Sequence, residues 1–393
     1  MALAAAALFA ASGAFAQQGE IKIGEINSYS TLPAFTEPYR KGWQLAVEEV
    51  NAAGGVLGRK IAVISKDDAG KPADAVTAAN ELVASDNVVM LTGTFFSHIG
   101  LAVSDYAKQK KVFFLAAEPL TDAITWEKGN AVTFRLRPSN YMQAAMLAEE
   151  AAKLPAKRWA TIAPNYEYGQ SAVAVFKKLL SEKRPDVEWV AEQWPPQGRI
   201  DAGAVVQAIA AAKPEAILNV TFGPDLAKLV REGNTRGLFK DRSVVSFLTG
   251  EPEYLDPLKE ETPTGWIVTG YPWYAIKSPE HDAFLKAYQD RFKDYPRLGS
   301  IVGYSTVKAA AAIIAKAGST DTDKLIAAAE GISLVTPFGQ VVFRKGDHQS
   351  TLGAFVGKTA VVDGQGRMVD FVYRDGAAYL PSEADAAKLR PAE

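Results

Sequence analysis

The hexapeptide Gly93-Thr94-Phe95-Phe96-Ser97-His98 carries the sharpest chemical signal in the chain. It falls where an apolar run gives way to a helical pattern. Ser97 therefore brings a hydroxyl to a helix start, beside free backbone N–H groups and the positive end of the helix dipole. Together these make a receptor for a carboxylate or another anion. Ser97 could equally cap that helix, and the two roles do not exclude each other. Phe96 and His98 flank it. Other loops gather groups suited to a small polar or aromatic solute: Tyr29 between two serines, Glu118-Pro119, Tyr166 and Tyr168, Phe222 after Thr221, and Glu251 with Glu253.

The same inventory speaks against catalysis. There are three histidines and no cysteine, so no thiolate nucleophile, disulfide or thiolate metal site is available. His281 at a polar helix start and His348 in a charged turn are expected to be solvated. No nucleophile elbow, phosphate loop or zinc pattern occurs. Asp67-Asp68 after a strand reads as a solvated turn, not a metal site. No catalytic residue, metal or cofactor is assigned.

Positioning those loops falls to a repeating strand–helix rhythm. Ile21–Ile26, Lys60–Ile64, Val88–Leu91 and Val112–Leu115 read as strands. Between them lie helices such as the one with Trp43, Ala46, Val47 and Val50 on one face. Short apolar strands between amphipathic helices imply a parallel sheet covered on both faces. The rhythm restarts after Arg137, with strand candidates at Trp159–Ala163, Val187–Val190, Ala216–Val220, Val244–Phe247 and Trp266–Thr269. Helices follow Tyr271, and the tail from Val341 returns to short strands. The expected fold is α/β with two parallel-sheet lobes, residues 20–137 plus 272–335 and residues 138–271 plus 336–393. Three short crossings near Arg137, Tyr271 and Thr336 would form the hinge. Ligands of open α/β sheets bind beyond the carboxyl ends of the strands, where the loops named above lie.

At 393 residues the chain has length for two cores. Its 43 basic and 45 acidic residues nearly cancel, unlike a nucleic-acid or membrane-surface binder. Met1–Ala16 is uncharged and Ala-rich, and Ala14-Phe15-Ala16 fits a cleavage site before Gln17. The segment is too short to span a membrane, which takes about 20 apolar residues. It reads as a signal peptide cleaved after Ala16, giving an exported protein expected to be a monomer. The basic stretch that ordinarily precedes such a region is missing, as expected if the start lies upstream of Met1 or that stretch has been trimmed away.

Several stretches together resemble periplasmic ABC-transporter substrate-binding proteins of the branched-chain amino acid, leucine-binding-protein-like family. They are Ile21–Ile26, Leu45–Arg59, Asp67-Asp68 with Pro72, Gly93–Ala102, Tyr166–Gln170 and Phe343–Gln349, in order over most of the chain. The resemblance implies a bilobal type I periplasmic-binding-protein fold that closes on a solute and hands it to an ABC permease in the membrane. It also implies that Ser97 receives a ligand carboxylate and that Tyr168 reaches in from the opposing lobe. Glu118 and Glu251 fall in the family's further ligand loops. The expected solute is an amino acid or related small carboxylate or amide. The ring-rich loops and Glu118 also fit an aromatic carboxylate, and the same fold serves periplasmic sensor subunits.

Overall fold

A computed structural model describes residues 19–391; the expected signal peptide and its cleavage site lie outside them. The first lobe is built on β1 (Ile21–Asn27), β2 (Ile61–Asp67), β3 (Met90–Gly93), β4 (Phe113–Ala116) and β5 (Thr133–Arg135). All five are parallel, in the order β2-β1-β3-β4-β5. β3 and β4 are buried at every residue, which is why they read as unbroken apolar runs. Helices α1 (Pro33–Ala52), α2 (Pro72–Ala84) and α3 (Ser97–Lys110) connect them.

After β5 the chain crosses into the second lobe through Leu136-Arg137-Pro138. There α4 (Asn140–Ala151), α5 (Glu167–Lys183), α6 (Ala202–Ala211), α7 (Gly223–Thr235) and α8 (Pro252–Leu258) surround a second sheet. Its parallel members are β6 (Arg158–Ile162), β7 (Glu188–Gln193), β8 (Ala216–Asn219), β9 (Ser243–Gly250) and β10 (Ile267–Gly270). The chain then returns through Tyr271-Pro272 to α9 (Pro279–Phe292), α10 (Leu298–Ala317), α11 (Thr322–Ala329) and the hairpin β11–β12 (Ser333–Thr336, Gly339–Val342). Finally β13 (Ala354–Val362) and β14 (Gln365–Arg374) extend the second sheet to the order β14-β13-β10-β9-β8-β6-β7.

Two expectations need correction. The second sheet is mixed, because β13 runs antiparallel to β10 and β14 antiparallel to β13. The break at Gly357-Lys358, where the register shifts, hid β13 from pattern reading. The third crossing also lies beyond Thr336. Val341, Phe343 and Leu352 are packed with Phe113 and Phe134 in the core of the first lobe, so the chain leaves it only near Ala354. The apolar side chains of β12 and Phe343 set that boundary, since Phe343 meets the Phe134 ring at 6.0 Å.

The hinge is tied where the first and third crossings run side by side. Arg135 N–H donates to the His348 carbonyl at 3.0 Å, and Ser350 N–H donates to the Arg135 carbonyl at 2.9 Å. Gln349 Nε2 donates to the Arg137 carbonyl at 3.0 Å. The His348 ring stacks on Phe134 at 3.8 Å, buried and not solvated as expected. His281 is also fully buried, 2.7 Å from the Tyr271 hydroxyl, and burial pushes its pKa down to about 4. Asp68 is likewise buried and accepts from Ser28 Oγ at 2.6 Å.

Helix α10 is long and apolar enough to cross a membrane, yet it is a core helix, 78% buried over its most apolar window. It lies close against α1 because glycines face the contact. A Cβ on Gly42 would sit 2.1 Å from the Ser300 carbonyl oxygen, and one on Gly303 2.1 Å from that of Tyr39.

Candidate functional site

The carboxyl ends of both sheets face each other across the hinge, and the lobes meet there through rings. Phe35 of α1 packs edge-on against Tyr254 at 5.2 Å, and His98 of α3 against Tyr166 at 5.3 Å. Phe95 and Phe96 from the first lobe reach Phe222 from the second at 6.4 and 6.5 Å. Thr121 Oγ1 donates to Glu167 Oε1 at 2.6 Å across the cleft. The lobes are thus closed on each other.

Between them lies a narrow cavity of ≈ 20 Å³. Ser97, Glu118 and Phe95 line it from the first lobe and Tyr166, Tyr168, Phe222, Leu248 and Tyr254 from the second, with Leu120 and Arg137 completing the wall. The turn that delivers Ser97 runs through Gly93 at φ +102° and Thr94 at φ +60°. A Cβ at Gly93 would lie 2.4 Å from the Ile26 carbonyl oxygen, so only glycine fits that approach. Leu248, on the opposite wall, is also left-handed at φ 65°, held by Thr269 Oγ1, which accepts from its N–H at 2.9 Å. Such strain is retained where surrounding structure over-determines it.

Ser97 is the first residue of α3, and Phe96 occupies the cap position without a side-chain cap bond. The Ser97 hydroxyl accepts long bonds from the N–H groups of Leu120 (3.3 Å) and Thr121 (3.2 Å). Its own proton remains to be donated, alongside the first-turn N–H groups that have no partner within the helix.

Glu118 is 3% exposed, and its Oε2 has no hydrogen-bond partner among the described residues. Burial pushes its carboxyl up to about 8 against the opposing pull of Arg137. On the facing lobe the Tyr168 hydroxyl is equally buried and likewise has no hydrogen-bond partner among the described residues. Burying such groups without partners costs about 1–3 kcal/mol each. The Arg137 guanidinium forms an ion pair with Glu251, both nearly inaccessible. Burial alone would lower the Arg137 pKa, but Glu251 and Glu118 outweigh it and hold the side chain charged.

Of the residues chosen from the sequence, Ser97, Glu118, Tyr166, Tyr168 and Phe222 come together at this cavity. The others do not. Tyr29 is turned away, its hydroxyl donating to Glu25 at 3.0 Å and accepting from Trp43 Nε1 at 3.1 Å. Phe96 faces a hollow farther out, and His98 stands behind it against Tyr166. Pro119 is turned toward Gly100 of α3, and Glu251 lies behind Arg137 on a separate hinge-side cavity. Sequence reasoning missed Arg137, Phe95, Leu120, Leu248 and Tyr254 as cavity residues. Arg137 had a legible signal, since a charge in the run that closes an apolar sheet must find a buried partner.

A family model described as periplasmic binding protein matches residues 20–375. The chain is 27% identical over 326 residues to a Leu/Ile/Val-binding protein homolog 7 of Brucella suis, covering 78% of this chain and 79% of that one. A branched-chain amino acid transporter structure from Rhodopseudomonas palustris CGA009 is similar at 28% identity and a TM-score of 0.73, covering 90% of this chain and 97% of that one. A solute-binding protein of an ABC transporter from R. palustris BisB5, in complex with 3,4-dihydroxybenzoic acid, shares the fold. It has a TM-score of 0.80 at 24% identity, over 91% of this chain and 98% of that one. Two α/β lobes closed over a buried, polar-tipped cavity, and a family match running nearly from end to end, lead to one conclusion: the chain belongs to the periplasmic binding proteins, as a leucine-binding-protein-like solute-binding protein of ABC transporters.

Proposed function

We propose that this protein captures an amino acid, or a related small carboxylate bearing a hydrogen-bond donor, between its lobes and delivers it to an ABC permease. One observation carries the reading. Two buried polar atoms without partners, Glu118 Oε2 and the Tyr168 hydroxyl, line the same cavity from opposite lobes, beside the Ser97 hydroxyl. A solute with both an acceptor and a donor satisfies all three. Its carboxylate takes the protons of Ser97 and Tyr168, and its ammonium or amide N–H goes to Glu118. Only the closed state offers contacts from both sides, so binding favours closure. No bond is made or broken. Export with cleavage after Ala16 and a monomeric state complete the proposal.

A second reading has its own support. Five rings line the cavity, Phe95, Tyr166, Tyr168, Phe222 and Tyr254, which suits a hydroxylated aromatic carboxylate whose hydroxyl meets Glu118. A thermal-shift screen of the twenty amino acids and the hydroxybenzoates separates the two. A solute at 100 times its Kd stabilises the fold by about 2.7 kcal/mol. Tyr168→Phe should weaken the successful solute roughly tenfold. If no carboxylate of either class raises the Tm, the proposed chemistry is wrong.

A further inference from the structure

Beside this cavity, sharing Phe222 with it, lies a larger hollow of ≈ 280 Å³. Leu32 and Phe96 wall it on one lobe and Pro164, Pro195, Pro224 and Phe222 on the other. Phe222 belongs to both spaces. Its ring touches Tyr168 at 5.9 Å and Tyr166 at 6.3 Å on the inner side and Phe96 at 6.5 Å on the outer side. It is therefore the partition between them, and it is only half-buried.

The outer hollow has little charge to offer. Asp225, its acidic residue, already accepts from Gly198 N–H at 2.7 Å and Ile200 N–H at 3.3 Å. Thr221 Oγ1 donates to Asn219 Oδ1 at 2.6 Å. Besides the uncharged Gln197 and Thr31, what remains toward the space is the apolar surface of three prolines, a leucine and two rings. Surfaces of that kind take uncharged apolar groups and exclude ions.

We infer that the outer hollow is a second subsite for the same solute, taking an apolar tail while the polar head sits in the inner cavity. Phe222 is the specificity-determining partition that must turn aside to let the tail through. The solute class is then an amphiphilic carboxylate, with an aryl or alkyl extension beyond its head group. The head-group half of this inference rests on the capture reading above; the tail half rests on the hollow alone.

Two probe series test it by calorimetry: benzoate, phenylacetate, 3-phenylpropanoate and 4-phenylbutanoate, and L-alanine, L-leucine, L-phenylalanine and L-homophenylalanine. In the series whose head group fits, affinity should climb about fourfold per methylene that enters the hollow. Gln197 lines only the outer hollow. Gln197→Trp should therefore cut the affinity of the longest members tenfold or more and leave the shortest within twofold. Phe222→Ala should favour the long members over the short. Independently of any head group, indole at millimolar concentration should shift the backbone amide resonances of Leu32, Thr221, Gln197 and Gly198, and Gln197→Trp should abolish those shifts. Indole shifts with neither acid series binding would sustain the hollow and overturn the head-group reading. Short members that bind with no gain from length, a Gln197→Trp variant that treats long and short alike, or no indole shift at the hollow would each overturn the tail subsite.

Discussion

Glu118 makes the pH dependence of binding a direct readout of what the solute carries. Burial holds its carboxyl at about 8, so the unliganded protein keeps the proton at neutral pH. At pH 7 roughly one molecule in ten is ionised there, one pH unit below the midpoint. A solute ammonium needs the ionised form, so binding at pH 7 must include an ionisation cost of about 1.4 kcal/mol, and at pH 6 about twice that. Affinity should therefore rise close to tenfold per unit from pH 6 to 7 and level off near pH 8. Calorimetry in buffers of different ionisation enthalpy should show nearly one proton released per solute bound at pH 6.5. Glu118→Gln removes the carboxyl that lines the cavity, so most of the slope should disappear, leaving what Glu251, also held at about 8, contributes, and amino-acid affinity at pH 8 should fall by about 2–5 kcal/mol. A carboxylate without an amine behaves oppositely: flat from pH 6 to 7, then weaker above 8 as Glu118 ionises beside a like charge. An amino acid bound with a Kd that does not change between pH 6 and 8 would refute the assignment of Glu118 as the ammonium partner.

Ser97→Ala should weaken a bound carboxylate roughly tenfold to a hundredfold by calorimetry. It should also lower folding stability by about 1 kcal/mol in urea melts, because two buried N–H groups lose their long bonds to Oγ. Arg137→Met leaves Glu251 buried without its ion-pair partner and should cost about 3–5 kcal/mol in the same melts. Arg137→Met with Glu251→Leu should recover much of that, and a single-variant loss below about 1 kcal/mol would contradict the pair's burial. Glu25, fully buried in the first lobe, is held up to about 8, chiefly by desolvation. The folded chain therefore binds more protons than the unfolded one between the ordinary carboxyl range and pH 8. Its contribution is whole below that range and is lost as pH rises through 8. The Tm of the unliganded protein should fall from pH 5 to 9, and Glu25→Gln should reduce the fall.

The sequence by itself determined the strand–helix alternation of both lobes, because burial on both faces forces unbroken apolar runs such as Phe113–Ala116. It also placed the loops at Ser97, Glu118, Tyr168 and Phe222 beyond the carboxyl ends of strands, and those residues line the cavity between the lobes. Only the tertiary structure decided which side chains turn inward. Tyr29 and Ser97 stand in equally suggestive loops, yet Glu25 and Trp43 claim the Tyr29 hydroxyl, while Ser97 keeps its proton free at the cavity wall. Local pattern could not reveal this, because the partners come from Trp43, fourteen residues along the chain, and from the loop after β4, more than twenty. For the same reason it missed Arg137, whose role depends on Glu251 being 114 residues away in sequence and in contact in space. It placed the third crossing too early because β12 and Phe343 are apolar in a way that suits either core. Which core they join is settled by the Phe134 ring they meet. Periodicity reports how much of a segment is buried; only packing decides against what.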